Sequence, residues 1–378
     1  MGQRNTSQVP AHVLDFLSRP ESYPEQPTRV EIIETHMSWV FLLDRHVYKL
    51  KKPVQRPFLD FRSLAARKRF CLEEVRLNRR LAPDVYLGIV PLTGTDGGLV
   101  LGGGGPVRDW LVCMRRLPAE RMLDRMIASG EPSSAELYRV SRLLISFYRS
   151  APRRRLAPEW FILRLRREVA LNRLDLIDPR RSPSPGLARS LCACHLRFVD
   201  LHLPLLHKRA ARICEAHGDL RPEHLCLEPQ PIAIDRLEFE PTFRLLDPVD
   251  ELSYLAMECE RLGSERVGTK LLDGYMTSLG DHVPEPLIAF YKGVRACQRA
   301  RLAVLHLHED SPSTAREHWL RRASAYLNLA ARHVGAASSI ITVAPPLAGE
   351  GRSGVGRLAQ VARSRISAPA DLPKTSVS

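Results

Sequence analysis

Four ionisable residues, met in the order Lys49, Glu74, Asp219 and Asp235, are of the types that phosphoryl transfer from a nucleoside triphosphate requires. That chemistry needs a cation on the α- and β-phosphates, a divalent metal held by carboxylate, and an acid facing the acceptor hydroxyl. Asp219 lies in HGDLRPEHLCL, after the apolar-to-polar transition ICEAHGDL, where Gly218 lets the backbone bend. Asp235 closes PIAID, sixteen residues further on, and reads as the end of a buried strand, where an unpaired carboxylate is costly unless it meets a cation. Lys49 lies in VYKL; strand alternation puts Val47 and Lys49 on one face, with Lys51 at the same parity, so the choice between the two lysines stays open. Glu74 is the helix carboxylate to pair with that lysine, and Glu73 points about 100° away. His217 reads as a structural residue that hydrogen-bonds the loop.

These residues need particular elements to hold them. VEIIETH, VFLL and HVYKLKK (within Val30 to Lys52) read as three short strands, and SLAARKRFCLEEVRLNRRLAP as a helix capped by Ser63 and ended by Pro83. VYLGIVPL and DWLVCMRRLP add two strands around the glycine-rich hairpin GGLVLGGGGP, giving a first lobe of five strands and one helix over residues 1–118. After Pro118, ELYRVSRLLISFYRS, WFILRLRREVALNRL, LARSLCACHLRFVDL, the segment from Glu285 to His308 and WLRRASAYLNLAARH carry helical periodicity, a second lobe over 119–334. From Gly335 to Ser378 the chain is rich in Ala, Ser, Gly, Pro and Arg and reads as a disordered tail. Its GRSGVGRL resembles a phosphate loop only in outline, since Arg357 and Leu358 replace the required Lys and Ser/Thr.

The composition is that of a globular chain: 378 residues, 44% hydrophobic and 26% charged. No apolar run approaches the roughly 18 residues that span a bilayer, and MGQRNTSQVP is too polar for a signal peptide. Eight scattered cysteines without a CxxC pair point to reduced thiols and a cytoplasmic protein. Cys192, Cys194 and His195 read as positions on a helix rather than a metal site, because no second ligand pair follows. The net charge of +14 raises nucleic acid as a partner, but only eight of the 56 basic residues are Lys, and no aromatic residues interleave with the arginines as stacking platforms. A solvated Arg-rich surface is the expectation.

Taken together, IETHMSWVFL, VYKLKKPV, FLDF, CLEEVRLNRRLAPDVYLGIVPL, MRRLP, HGDLRPEHL and IDRLEFEPTFRLLDPVDELSYLAMECE resemble the aminoglycoside phosphotransferase and choline kinase group of the protein-kinase-like fold, from about Val30 to Arg332. The nearest resemblance is to a bacterial branch often fused to a C-terminal P-loop kinase domain, which is not expected here. The resemblance implies an α+β, two-lobed fold with a β-rich ATP lobe and a mainly α-helical acceptor lobe. It implies adenine held by backbone at Met114, Arg115 and Leu117, and a phosphate contact from the Ser38 hydroxyl or N–H. Asp219 would orient or deprotonate the acceptor hydroxyl, Asp235 would bind Mg²⁺, and Asp250 would brace the catalytic loop.

Two departures stand out. The metal-binding Asn five residues after the loop Asp is His224, and Arg236 follows Asp235. Imidazole nitrogen suits Mn²⁺ or Zn²⁺ better than Mg²⁺, so Mn²⁺ becomes an alternative, and Glu223 or Glu238 are candidates for the missing oxygen. Arg236 is expected to project opposite Asp235. The expectation is therefore ATP-dependent phosphorylation of a hydroxyl on a small molecule of unread identity. The alternative is a catalytically weak nucleotide-binding regulator. A cationic acceptor would want an acidic pocket in the helical lobe, and the sequence offers no acidic cluster there beyond Glu258, Glu260 and DPVDEL.

Overall fold

A computed structural model describes residues 9–95, 98–130, 132–307 and 313–338. The chain divides into two units: Met1–Ser129 with His217–Arg244, and Gly130–Ala216 with the chain from Leu245 onward.

The first unit opens with a short helix, α1 (Ala11–Leu17), which the sequence reading passed over. Strands β1 (Glu31–Glu34), β2 (Ser38–Leu42) and β3 (His46–Lys51) follow, then a two-residue ladder of β4 (Gln55–Arg56) and β5 (Leu59–Asp60). Helix α2 (Leu64–Asn78) begins at Ser63, whose side chain accepts from the Ala66 N–H. Strands β6 (Tyr86–Thr95), β7 (Gly98–Leu101) and β8 (Val107–Arg115) lead to α3 (Leu123–Gly130). The main sheet is antiparallel, with order β1-β2-β3-β8-β6-β7; it has six strands because GLVL pairs with β6 as a strand of its own.

Alternation decides what each face meets. Tyr48, Leu50, Leu111 and Cys113 pack with Val13 and Leu17 of α1 on one face. Val112 and Met114 pack with Cys71 and Val75 of α2 on the other. Lys49 and Lys51, out of phase with Tyr48 and Leu50, therefore point toward α2.

Residues 217–244 fold with the first unit rather than with the helices that precede them, which moves the expected boundary at 118. Met122 bridges Cys226, the Leu227 N–H donates to the Arg121 carbonyl at 2.8 Å, and the Arg236 N–H donates to Asn78 Oδ1 on α2 at 2.8 Å. Within this segment, Leu225–Cys226 pairs with Ile232–Ala233, so PIAID supplies a strand of only two residues.

The second unit contains helices α4 (Ser134–Ser150), α5 (Pro158–Leu176), α6 (Pro185–Leu201), α7 (Leu203–Ala210), α8 (Pro248–Arg261), α9 (Glu265–Leu279), α10 (Glu285–Val304) and α11 (Ser313–Ser338). A two-residue ladder, Cys214–Glu215 with Leu245–Leu246, and a bridge from Arg153 to Cys214 lie among them. Ala296, Ala300 and Ala303 of α10 pack with Tyr326, Leu327 and Ala330 of α11, small residues letting the two axes approach. Helix α11 runs through Gly335 to Ser338, so the expected tail does not begin at 335; residues 339–378, with the phosphate-loop outline, lie outside the described residues. The α+β class with one β-rich and one helical unit is as expected.

Arginine serves this helical unit as structure. Arg209, 5% exposed, bridges Asp247 (Nε to Oδ2, 2.8 Å) and Asp281 (Nη1 to Oδ1, 2.6 Å), and Tyr291 donates to the same Asp247 at 2.9 Å. Arg295 grips Asp250 through two bonds of 2.8 and 2.7 Å. The eight cysteines form no disulfide, and among the described residues no helix is long and apolar enough to cross a membrane.

Candidate functional site

Every residue of the predicted set except Asp250 lies in the first unit, so their geometry can be read within one body. Lys49 donates to Glu74 Oε1 at 2.9 Å and to Asp235 Oδ1 at 2.8 Å. Lys51, the lysine of equal parity, donates to Glu74 Oε2 at 2.6 Å and also to Glu238 Oε1. The two lysines are thus not alternatives. They form one charged chain, Asp235–Lys49–Glu74–Lys51–Glu238, with Glu74 shared at its centre.

Burial grades along that chain. The Lys51 and Glu74 side chains are each 1% exposed, Glu238 is 9% exposed, and Asp235 at the other end is 43% exposed. Burial pushes the Glu74 carboxyl up, but Lys49 and Lys51 together outweigh it and hold the group below the usual carboxylate range. Lys49 brings the Asp235 carboxyl down against the cost of burial, while Glu238 is pushed up by burial. The open end of the chain and its shared centre are thus both held ionised, while the buried end at Glu238 is not.

Asp235 is held in an unusual backbone. Its φ is 62°, the left-handed region, which a non-glycine residue adopts at a cost. It lies beyond the short strand Ile232–Ala233, so strand alternation, the basis for expecting Arg236 to project opposite Asp235, does not apply there; the Arg236 side chain is buried. The Asp235 N–H donates to the Tyr86 hydroxyl at 3.0 Å, and Asn78 accepts from Arg236 N at 2.8 Å.

The HGDLRPEH loop presents Asp219 beside Arg221, whose Nη2 is 3.0 Å and Nε 3.1 Å from Asp219 Oδ2. The same guanidinium reaches Glu223 Oε1, and Lys51 takes Glu238, so both acids offered as replacement oxygen donors have cations of their own. His217 is buried and accepts from Asp219 N at 3.4 Å through Nδ1, while its Nε2 donates to the Ile234 carbonyl at 2.9 Å. Burial, with His224 nearby, pushes its pKa down to about 3, as befits a structural imidazole.

His224 closes a single 3-10 turn, Pro222–His224, and lies between the two acids: Nδ1 is 3.9 Å from Asp219 Oδ2, and Nε2 is 3.6 Å from Asp235 Oδ2. Its Nδ1 is 2.7 Å from the Asp219 carbonyl oxygen, which can only accept, so Nδ1 carries the proton and the Nε2 lone pair faces Arg221 (3.1 Å) and Asp235. A backbone carbonyl fixing one ring nitrogen is the arrangement that orients metal-ligating histidines, but here the other nitrogen accepts from Arg221 Nη2, which a cation would have to displace. Among the described residues no group of three or more His, Cys, Asp or Glu forms a metal cage. A Mg²⁺-type site that shares its ion with phosphates needs only one or two carboxylates from the protein, and the pair Asp235 and His224 fits that smaller demand.

The remaining expected contacts resolve unevenly. Met114 and Leu117 lie with Ile232 and Ile234 in one apolar cluster, a surface suited to a flat ring. The Arg115 side chain is clamped by Glu228 in two bonds of 2.9 and 2.8 Å, and its N–H donates to the Val85 carbonyl. Ser38 begins β2 rather than sitting in the turn, and its N–H already donates to Thr35 Oγ1 at 3.0 Å, so that amide is not offered to a phosphate. The Asp250 carboxylate is engaged by Arg295 within the second unit.

Sequence reasoning missed Asn78, Tyr86, Arg221 and the second role of Lys51. Asn78 follows Glu74 by four residues, the spacing that places both on one helix face, and a polar residue there was the available signal.

Comparison with known proteins bears on the fold. No family model matches the chain. An uncharacterized protein of Mycobacterium tuberculosis is 30% identical over 333 residues, which span 87% of this chain but 64% of that protein, and an uncharacterized protein of Mycobacterium bovis matches equally. The chain thus spans about two thirds, slightly less, of the length of the curated relatives it matches. Among solved structures, the GDP and kanamycin complex of APH(2″)-IIia superposes with a TM-score of 0.50 at 15% identity, covering 85% of this chain and 99% of that one. A choline/ethanolamine kinase family protein from Mesorhizobium loti gives a TM-score of 0.46 at 13% identity, with coverage of 87% and 99%. The chain has the protein-kinase-like fold, and its resemblance to the aminoglycoside phosphotransferase and choline kinase group holds at that level.

Proposed function

We propose that the first unit binds ATP with a divalent cation and that the protein transfers the γ-phosphoryl group to a hydroxyl of a small molecule. The observation that carries this reading is the charged chain ending at Asp235, set beside an Asp219–Arg221 pair with His224 between them.

In this reading Lys49, oriented by Glu74, contacts the α- and β-phosphates, and the apolar cluster at Met114 and Leu117 takes the adenine, with Arg115 contributing backbone only. Asp235 and His224 would hold the cation, which when bound would neutralise charge on the phosphates. A nitrogen donor in place of the usual amide oxygen favours Mn²⁺ over Mg²⁺ relative to an Asn-containing site. Asp219 orients the acceptor hydroxyl and accepts its proton, while Arg221, 3.0 Å from that carboxylate, offsets charge developing beside it. The solved relative in fold was captured with GDP and kanamycin, which supports nucleotide and a small acceptor as ligand classes for this chain. A full set of reduced cysteines fits a cytoplasmic setting.

The test is transfer or hydrolysis of ATP by the purified protein with Mg²⁺ and with Mn²⁺, compared with Asp219→Ala. We expect the variant to lose at least a hundredfold in turnover while still shifting its melting temperature with nucleotide. Undiminished turnover in Asp219→Ala removes the reading. A second reading, a nucleotide-binding regulator with little turnover, is favoured by the way Arg221 occupies Asp219 and Lys49 occupies Asp235. Nucleotide binding by the wild-type protein without measurable turnover, with either metal, would select it.

A further inference from the structure

We propose that the groove between α4 and α9 in the second unit is a binding site for a small organic phosphate. The groove encloses about 600 Å³, within the range of small-molecule sites. Its rim carries Arg142 and Arg149 from α4 and Lys270 from α9, and among the described residues no Asp or Glu lines it.

The contrast with the rest of this unit gives the groove its meaning. Arg209 and Arg295 each grip buried carboxylates, and Glu258, the acid that the sequence marked in this region, is held by Arg261 at 2.6 Å and by Tyr326 at 2.8 Å. The groove cations have neutral neighbours instead: Lys270 donates to Ser134 Oγ at 3.1 Å, and Arg142 lies 3.4 Å from the Tyr138 hydroxyl. Among the described residues, no carboxylate is within ion-pair reach of Arg142, Arg149 or Lys270. Their charge is available to a ligand.

The floor is built to donate hydrogen bonds. Gly274 on α9 faces Ser141 on α4 so closely that an added Cβ would lie 3.1 Å from Ser141 Oγ, so glycine brings the helices together over a buried hydroxyl. Ser146 and Ser278 add hydroxyls along the walls. Hydroxyl donors on the floor under guanidinium and ammonium groups on the rim match the several acceptor oxygens of a phosphate monoester. A smaller cavity of about 90 Å³ shares Arg149 and adds Arg153 and Arg212, the latter partly offset by Asp281 at 3.4 Å. The enclosed volume and the single exposed ring at the rim, Tyr138, favour a small molecule over a nucleic-acid strand, which needs repeated stacking surfaces.

Calorimetric titration of the metal-free full chain with inorganic pyrophosphate and with glucose 6-phosphate tests the assignment. We expect binding that weakens at least tenfold in Arg149→Glu/Lys270→Glu and in Ser278→Trp, whose side chains are exposed and whose melting temperatures should match the wild type. Lys49→Met, which damages the nucleotide site of the first unit, should leave this binding within twofold, so failure here is separable from failure of the phosphotransferase reading. No binding by the wild type, equal binding by the groove variants, or loss in Lys49→Met alone overturns the proposal. Tighter binding of a 20-nucleotide single strand with a steep salt dependence overturns it as well, in favour of a nucleic-acid surface.

Discussion

Replacing Lys51 by Met should cost the protein about 3–5 kcal/mol of stability, the usual consequence of removing one partner from a buried ion pair. The magnitude follows from the alternation of charge along Asp235–Lys49–Glu74–Lys51–Glu238. With both lysines present, every acid has an adjacent cation. Without Lys51, Glu238 has lost its lysine and Glu74 keeps only Lys49, which also serves Asp235. The loss of the Lys51 contact with the Phe61 ring, at 5.2 Å and away from water, adds up to about 2 kcal/mol. The variant has one escape, which is to protonate Glu238, a group that burial already pushes up. A carboxyl whose folded pKa is raised stabilises fully below its unfolded value near 4.3 and loses that contribution as pH rises through the folded value. The penalty of Lys51→Met relative to wild type should therefore be larger at pH 8 than at pH 5.5. Urea denaturation at both pH values measures it, and the double variant Lys51→Met/Glu238→Gln should recover at least half of the loss at pH 8. A penalty below 1 kcal/mol, or no recovery on adding Glu238→Gln, would refute the charge-chain argument.

Two further outcomes follow from packing and burial. His195 of α6 is 2% exposed, has no hydrogen-bond partner on either ring nitrogen among the described residues, and its pKa is pushed down by burial to about 4. The unfolded chain binds its proton near pH 6.5, so stability falls as pH drops from there toward 4; His195→Leu should remove about 2 kcal/mol of that loss between pH 7 and pH 5, read as the difference in urea-derived stability between variant and wild type at the two pH values. Gly268→Ala should destabilise despite improving helix propensity, because the new Cβ would lie 2.5 Å from Ala256 Cα on α8; we expect a net loss of about 1–3 kcal/mol, and a melting temperature at or above wild type would contradict the contact.

What the sequence made legible was the part governed by local period. Lys49 and Lys51 alternate with Tyr48 and Leu50, and Glu74 faces the strand because Glu73 lies a hundred degrees round the helix and pairs with Arg76 instead. Helix α1 escaped because AHVLDFL is too short for a periodic signal, and its role, covering the second face of the sheet, is a tertiary one. PIAID misled in a more instructive way. Its apolar residues suggested a strand running to Asp235, but only Ile232 and Ala233 pair, and the chain then turns through a left-handed residue, a conformation Asp tolerates better than most non-glycine types. The unit boundary was equally hidden, since residues 217–244 join the first unit through bonds to Asn78, Arg121 and Met122, each more than ninety residues away in sequence.

The strain at Asp235 sharpens the functional argument. A non-glycine residue at φ 62° costs of order 1–3 kcal/mol and persists only where its surroundings over-determine it. Here three elements do so. Tyr86 of β6 accepts from its N–H, Lys49 of β3 holds Oδ1, and Asn78 of α2 fixes the next residue from both sides, accepting from Arg236 N and donating to Arg236 O at 3.4 Å. A carboxylate needed only to neutralise Lys49 could do so from a backbone of negative φ, as Glu238 neutralises Lys51 nearby. What the left-handed turn adds is direction: Oδ1 goes to the lysine while Oδ2 is left 3.6 Å from the unprotonated nitrogen of His224. The left-handed turn therefore leaves the second oxygen beside the imidazole while the first keeps the lysine, and that pair is where the proposed cation would be met.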